Sequence, residues 1–300
     1  MKLTLALLAL AGSLAAQTIS YSYDSAGRLS SAAYPGGQVI SYIYDPGGNL
    51  LRRLVATPGA GAAPVATAAG VANAASFAAG GVAPGEIVTL FGTGIGPASL
   101  TGYRLTPYNY FDTFSGDTTV QFDGVPAPII YASAGQTSVI VPYEVAGKTS
   151  TEMVVTYQGR SSSAATVPVV TSAPGLFSAD STGKGNGAIL NQDGSVNSPS
   201  NPAATGSIIV LFGTGEGSTT PAGADGRIST SVIPKPNLPV SVTIGGQTAS
   251  VAYAGEAPSL VSGVFQINAT IPTGVASGAV PVIVKVGNAS SQSGLTVSVQ

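Results

Sequence analysis

The stretch Leu90-Phe91-Gly92-Thr93-Gly94 returns as Leu211-Phe212-Gly213-Thr214-Gly215. Each copy follows a glycine and a β-prone run: Gly85-Glu86-Ile87-Val88-Thr89 in the first, Gly206-Ser207-Ile208-Ile209-Val210 in the second. A branched apolar run stopped by Gly-x-Gly reads as a buried strand entering a tight turn. Finding it twice, 121 residues apart, requires a fold that one half-length unit can build and a second can repeat.

Strands are predicted in the first copy near Ile87–Phe91, Thr119–Phe122, Pro128–Ala132, Ser138–Val141, Met153–Tyr157 and Ala164–Val170. The second copy places them near Ile208–Phe212, Val240–Ile244, Ala249–Tyr253, Val264–Ile271, Val280–Val286 and Gly294–Val299. Gly124 matches Gly246, Tyr131 matches Tyr253, Pro142 matches Pro272, and Gly159 matches Gly287. The offsets drift between these landmarks, so insertions fall between strands, where loops tolerate them. Short strands with turn signals between them, roughly a hundred residues per copy, predict immunoglobulin-like β-sandwiches. Between the copies, Asn191-Gln192-Asp193-Gly194-Ser195 carries an Asp-Gly hairpin signal.

Composition agrees with an all-β chain exported from the cytoplasm. Hydrophobic residues make up 44% and charged residues 8%, so a core is affordable and disorder is excluded. Net charge is −2, which favours neither nucleic acid nor an anionic membrane. There are no cysteines and no histidines, which removes disulfides, thiolate chemistry and the commonest general base. Lys2, the apolar run Leu3 to Leu10 and the small residues Ala11 to Ala16 read as a signal peptide over 1–16.

A shorter repeat follows. Tyr23-Asp24-x-x-Gly27-Arg28-Leu29 recurs as Tyr44-Asp45-x-x-Gly48-Asn49-Leu50, at an offset of 21. Segment 17–55 thereby resembles two YD (Rhs-type) repeats. In that family such units wrap into large β-shells; two units predict only a small strand patch. Residues 56–70, rich in Ala, Gly and Pro, read as a linker.

From about Val71 onward the chain resembles an uncharacterised C-terminal domain family of acidobacterial (Solibacter-type) secreted proteins. The resemblance rests on Asn73-Ala74-Ala75-Ser76-Phe77, Phe122-Asp123-Gly124-Val125-Pro126, Val141-Pro142-Tyr143 and Pro234-Lys235-Pro236, with the Asn191–Ser195 motif above. It implies location and fold rather than chemistry. The turn Leu90–Gly94 also resembles IPT/TIG immunoglobulin-like domains. The expected architecture is therefore all-β: sandwich one over 71–172, a hairpin connector over 173–202 and sandwich two over 203–300.

Few residues suggest chemistry. Gly92–Gly96 mimics a phosphate loop, but Pro97 follows where a helix start is needed. Ser181-Thr182-Gly183-Lys184 mimics a serine-enzyme motif without the helix that chemistry requires. Asp180, Asp193 and Asp225 stand beside or near glycines and read as Asx turns rather than calcium ligands. Glu86, Glu144, Glu152, Glu216 and Glu256 are scattered near strand ends, with no paired-carboxylate signature.

The densest aromatic loop offers the candidate ligand-binding residues: Tyr103, Arg104, Tyr108, Asn109, Tyr110, Phe111 and Asp112. Exposed rings flanked by polar groups suit a sugar platform, whereas rings turned inward would only close the sandwich. The expectation is a secreted, non-catalytic adhesion or envelope-interaction protein with no cofactor and no bound metal. Its partner is an extracellular polysaccharide or a cell-surface protein. A carbohydrate-binding module is the alternative, and a glycan-cleaving enzyme the third.

Overall fold

The computed structural model describes residues 18–24, 26–44, 47–56, 62–228 and 233–300. The signal peptide read at 1–16 lies outside the described residues. The chain divides into two compact units, Met1–Gly59 and Ala60–Gln300.

The first unit is a four-stranded antiparallel sheet in sequence order, β1 (Ser20–Tyr23), β2 (Leu29–Ala33), β3 (Val39–Tyr44) and β4 (Leu50–Ala56). Its repeat motif has a local cause. Asp24 Oδ1 accepts the backbone N–H of Ala26 at 3.0 Å and of Arg28 at 2.8 Å, which closes the turn. The Arg28 guanidinium pairs with Asp24 at 2.6 Å and lies 4.8 Å from the Tyr44 ring centroid. The Arg28 backbone N–H and guanidinium hold the Asp24 carboxyl below its usual range. Ala32 and Ile40 face each other across β2 and β3 and are buried.

The second unit holds the duplication. Its first half contains β5 (Val65–Asn73), β6 (Ile87–Thr93), β7 (Thr101–Gly102), β8 (Thr118–Phe122), β9 (Val125–Pro126), β10 (Ile129–Ala132), β11 (Gln136–Ile140), β12 (Ser150–Tyr157), β13 (Arg160–Ser161) and β14 (Ala165–Pro168). One sheet runs β5-β6-β11-β10-β7; the other places β8 beside β12 and β12 beside β14. Taking β5, β6, β8, β10, β11, β12 and β14 as strands A to G gives A-B-E-D against C-F-G, the immunoglobulin arrangement.

Three short strands follow: β15 (Gly175–Leu176), β16 (Gly185–Asn186) and β17 (Ile189–Leu190). The second half then adds β18 (Ile208–Thr214), β19 (Thr219–Thr220), β20 (Lys235–Pro236), β21 (Val240–Ile244), β22 (Gln247–Glu256), β23 (Phe265–Thr270), β24 (Gly278–Val286), β25 (Ala289–Ser290) and β26 (Leu295–Val299). Here β18, β23 and β22 repeat the β6, β11, β10 order, and β21, β24, β26 repeat β8, β12, β14. Gly124 and Gly246 turn corresponding hairpins with the same φ of 80°. Even an isolated parallel bridge recurs: Val82 with Val169, and Ala203 with Val299.

Two expected boundaries move. Residues 65–70, read as linker, begin the first strand of sandwich one. Small side chains permit this, because a Cβ at Gly70 would collide with the Phe91 carbonyl. The connector 173–202 is part of sandwich two. Its β15 and β17 both pair with β18, and Leu176 and Ile189 enter that core beside Leu211. The Asp-Gly turn itself is present, with the Gly194 N–H bonded to Asn191 O and Leu190 bridging Val196.

Each sandwich has its own core. Val88, Leu90, Phe122, Ile129 and Met153 anchor the first; Ile209, Leu211, Ile244, Phe265 and Ile267 anchor the second. Strand β23 alternates buried and half-buried residues, as a one-sided strand should. Strand β6 does not: Ile87, Val88, Thr89 and Leu90 are all buried. Val88 and Leu90 face their own core, whereas Ile87 joins Ile140 and Val261 in a third cluster between the sandwiches. The Ile87 N–H also donates to Thr214 Oγ1 of the second repeat at 2.8 Å. The two sandwiches thus meet along a packed seam.

At the repeat glycines the seam sets different demands. Gly94 has φ 63° with open space where a Cβ would project. Gly215 has φ 86°, and a Cβ there would strike the Ala173 carbonyl. Gly94→Ala should cost about 1–2 kcal/mol, the left-handed backbone penalty alone. Gly215→Ala adds a backbone collision and should lower the denaturation midpoint clearly further in matched urea titrations.

Candidate functional site

The aromatic loop folds as a hairpin. Pro107 and Tyr108 occupy the corners of a turn closed by the Asn109 N–H on Thr106 O at 3.0 Å. Asn109 takes φ 62°, which asparagine tolerates, and the Tyr110 N–H returns to Thr106 Oγ1 at 3.1 Å. Proline at the second position and a left-handed residue after the turn match a three-residue hairpin loop. The arms meet through the Leu105–Phe111 bridge and the Asp112 N–H on Arg104 O at 2.8 Å.

This hairpin is seated across the seam. The Phe111 N–H donates to Gly226 O at 2.7 Å, and Tyr110 bridges Arg227. The Phe111 side chain packs into the third apolar cluster. Below the tip, the Ser115 hydroxyl donates to Gly102 O at 2.6 Å and the Ile129 N–H to Asp112 O at 2.9 Å. Both sandwiches therefore hold the base of a projecting element.

The seven candidate residues separate by role. Tyr103 is 54% and Tyr108 67% exposed, with Arg104 and Asn109 also exposed beside them. Tyr103 stacks on Phe111, ring centroids 4.2 Å apart and planes 14° from parallel. One tyrosine face is thus supported from below while much of the ring remains in solvent. Tyr110 and Phe111 are half-buried, and Asp112 is buried with Oδ1 accepting the Phe114 N–H at 3.2 Å. Tyr103, Arg104, Tyr108 and Asn109 can touch a ligand; Phe111 and Asp112 support them, and the backbone of Tyr110 bridges to Arg227.

Other candidates resolve differently. Ile95, inside the glycine turn Gly92–Gly96, is fully buried, so that loop is a structural plug. Asp180 and Asp193 make the expected Asx turns, accepting the N–H of Thr182 and Ser195 at 3.2 and 2.9 Å. Asp225 does not; its Oδ1 accepts the Tyr143 N–H at 3.0 Å, across the seam. Glu152 is an exposed cross-strand partner of Thr166.

Glu144 is exposed, but the other three glutamates are not scattered. Glu86, Glu216 and Glu256 are each 1% exposed or less, and they converge electrostatically on Tyr143 or on one another. Sequence reading missed this, because the four residues span some 170 positions and share no spacing. A cavity of about 320 Å³ opens along the seam, lined by Pro84, Lys148, Val170, Thr171, Ser218 and Asn237 among others, and none of these three acids lines it. Among the described residues no group of three or more His, Cys, Asp or Glu is placed to hold a metal ion. Among them, too, no helix is long and apolar enough to cross a membrane.

Residues 23–61 match the family model of the RHS repeat. No curated protein matches the chain. Several solved structures are similar at low identity. The full extracellular region of plexin A4 matches at 14% identity and TM-score 0.26, covering 79% of this chain and 18% of that one. The Bacteroides ovatus protein SGBP-B of a mixed-linkage glucan utilization locus, in complex with a mixed-linkage heptasaccharide, matches at 14% and 0.30, covering 95% and 60%. The N-terminal Ig1-2 module of the Drosophila receptor protein tyrosine phosphatase DLAR matches at 11% and 0.21, covering 80% and 100%. The chain spans less than two thirds of the first two.

Substitution separates support from contact on the hairpin. Phe111→Ala should cost roughly 2 kcal/mol or more in chemical denaturation, since it empties part of the third cluster. Tyr103→Ala should stay within about 1 kcal/mol of the parent, because its ring is more than half exposed.

Proposed function

We propose that the chain is an extracellular, non-catalytic binding protein. In this reading the hairpin 103–111 contacts a polysaccharide or a glycan displayed on a cell surface. The observation that carries it is the Tyr103 ring, held parallel to Phe111 with its outer side in solvent and Tyr108 at the hairpin tip. An aromatic face fixed before binding offers apolar contact area with little conformational entropy left to lose. Arg104 and Asn109, exposed on the same hairpin, supply donors for ring hydroxyls.

An adhesion role fits the same geometry, because two sandwiches packed at one seam present the hairpin at a fixed orientation. The signal-like residues 1–16 support an extracellular setting. Burial of Glu86, Glu216 and Glu256 supports the non-catalytic reading, since a pair of hydrolytic acids must flank a substrate bond.

Affinity electrophoresis through gels of soluble polysaccharides tests the proposal. At least one polysaccharide should retard the chain. Combined Tyr103→Ala and Tyr108→Ala should weaken retardation tenfold or more, a loss of about 1.4 kcal/mol, within the range of aromatic anchor residues. Retention of full binding by that double variant would remove the hairpin from the site.

A further inference from the structure

The seam contains groups that neither core packing nor the hairpin explains. Aligning the repeats places Ile95 opposite Glu216, each following its Gly-Thr-Gly turn. Ile95 is fully buried in the apolar core of sandwich one. Glu216 is 1% exposed, and neither carboxyl oxygen has a partner beyond its own backbone amide. The first repeat thus shows the apolar solution, and the second buries an acid instead.

Tyr143 is the centre of this region. Its ring fills the space left by Gly85 of sandwich one and Gly223 of sandwich two, where a Cβ at either would collide with it. Its hydroxyl donates to Glu256 Oε1 at 3.2 Å. Its N–H donates to Asp225 Oδ1 at 3.0 Å, a bond across the seam. Tyr143 belongs to sandwich one, and Asp225 and Glu256 to sandwich two, so these hydrogen bonds link the two bodies.

We infer that the seam is a proton-operated latch, in which protonated Glu216, buried beside Glu256 and Glu86, holds the sandwiches together around Tyr143. Ionisation of Glu216 places negative charge beside Glu256 and Glu86 within the seam. The positive group near them is Arg227, 3.9 Å from Glu256. Because Asp225 directly precedes the Gly226-Arg227 strip on which the hairpin sits, opening the latch also loosens the hairpin. The latch stands whether or not the hairpin binds glycan.

Burial raises the Glu216 carboxyl to about 8, with the charges of Glu256 and Glu86 adding to it. Burial, then Glu144, raises Asp225 well above its usual range. Burial raises Glu86 to about 8 against the hydrogen bonds from Ala83 and Asn73. Such groups bind protons more tightly folded than unfolded. Their stabilisation is complete below the ordinary values of 4.5 and 3.8, and is lost as pH rises toward about 8. The chain has no histidine and no cysteine, so no side chain with an ordinary value competes in that window.

The absence of cysteine also makes the test direct. Spin labels on Ser161→Cys and Ser290→Cys, exposed on β13 and β25, report the distance between sandwiches in the full chain. The distance distribution should be narrow at pH 5 and broader or longer at pH 9, with far-UV circular dichroism unchanged. Adding Glu216→Gln, which imitates the protonated acid, should keep it narrow at both pH values. An unchanged distribution in the parent, or broadening in the amide variant equal to the parent's, overturns the latch. If the amide variant does not fold, hydrogen exchange in the parent decides. Protection of the Ile87 amide, bonded across the seam, should fall at least tenfold relative to that of Ile267 between pH 5 and 9. A constant ratio refutes the proposal.

Discussion

Burial of both faces of β6 and β11 is the constraint on which the rest of the larger unit depends. A sandwich strand ordinarily shows one face to water, and its sequence alternates accordingly. Here Ile87 and Ile140 point away from their own core and must be covered. Sandwich two covers them with Val261, Val264 and Phe177, and the cross-seam bond from Ile87 to Thr214 fixes the contact. Glycine makes the fit possible, because the Tyr143 ring occupies the volume of two absent Cβ atoms. A joint of this kind resists sliding, since displacing it opens apolar surface and breaks buried hydrogen bonds together.

The seam also shows how a duplicated unit diverges. The two sandwiches share strand order, hairpin glycines and an isolated parallel bridge. They differ where they meet. The glycine turn of the first repeat closes over Ile95 and seals a core. The turn of the second lies under the Ala173 carbonyl and delivers Glu216 to the interface. The conserved part of each repeat is what makes a sandwich stable, and the altered part is what makes two sandwiches one unit.

The strands were legible because each one buries a face. Val240–Ile244 was placed to the residue, and the predicted Ile208–Phe212, Thr119–Phe122 and Val280–Val286 lie within two residues of the observed ends. What failed depended on distant partners. Val65 to Gly70 read as a linker because alanine, glycine and threonine carry little strand signal, yet pairing with β6 makes them a strand. Leu176 and Ile189 read as connector for the same reason, since β18 lies about twenty residues or more further on. In the aromatic loop, sequence could not say which rings faced out. Tyr110 was grouped with Tyr108, whereas the bridge to Arg227 draws it half inward. The buried acids gave no local signal at all; only the comparison of Ile95 with Glu216 at equivalent repeat positions could have marked one of them.

The hairpin joins these strands of reasoning. A loop anchored on one sandwich alone would inherit that sandwich's freedom to tilt, and an exposed tyrosine on it would lose orientation before any ligand arrived. Here the tip turn is closed by Thr106, the arms are bridged by Leu105 and Phe111, and the base is hydrogen-bonded to Gly226 on the other body. The Tyr103 ring then inherits its position from Phe111, which is itself fixed by the seam cluster. Orientation of the exposed aromatic face is therefore a property of the joint rather than of the loop, and any group that weakens the joint acts on that face from a distance.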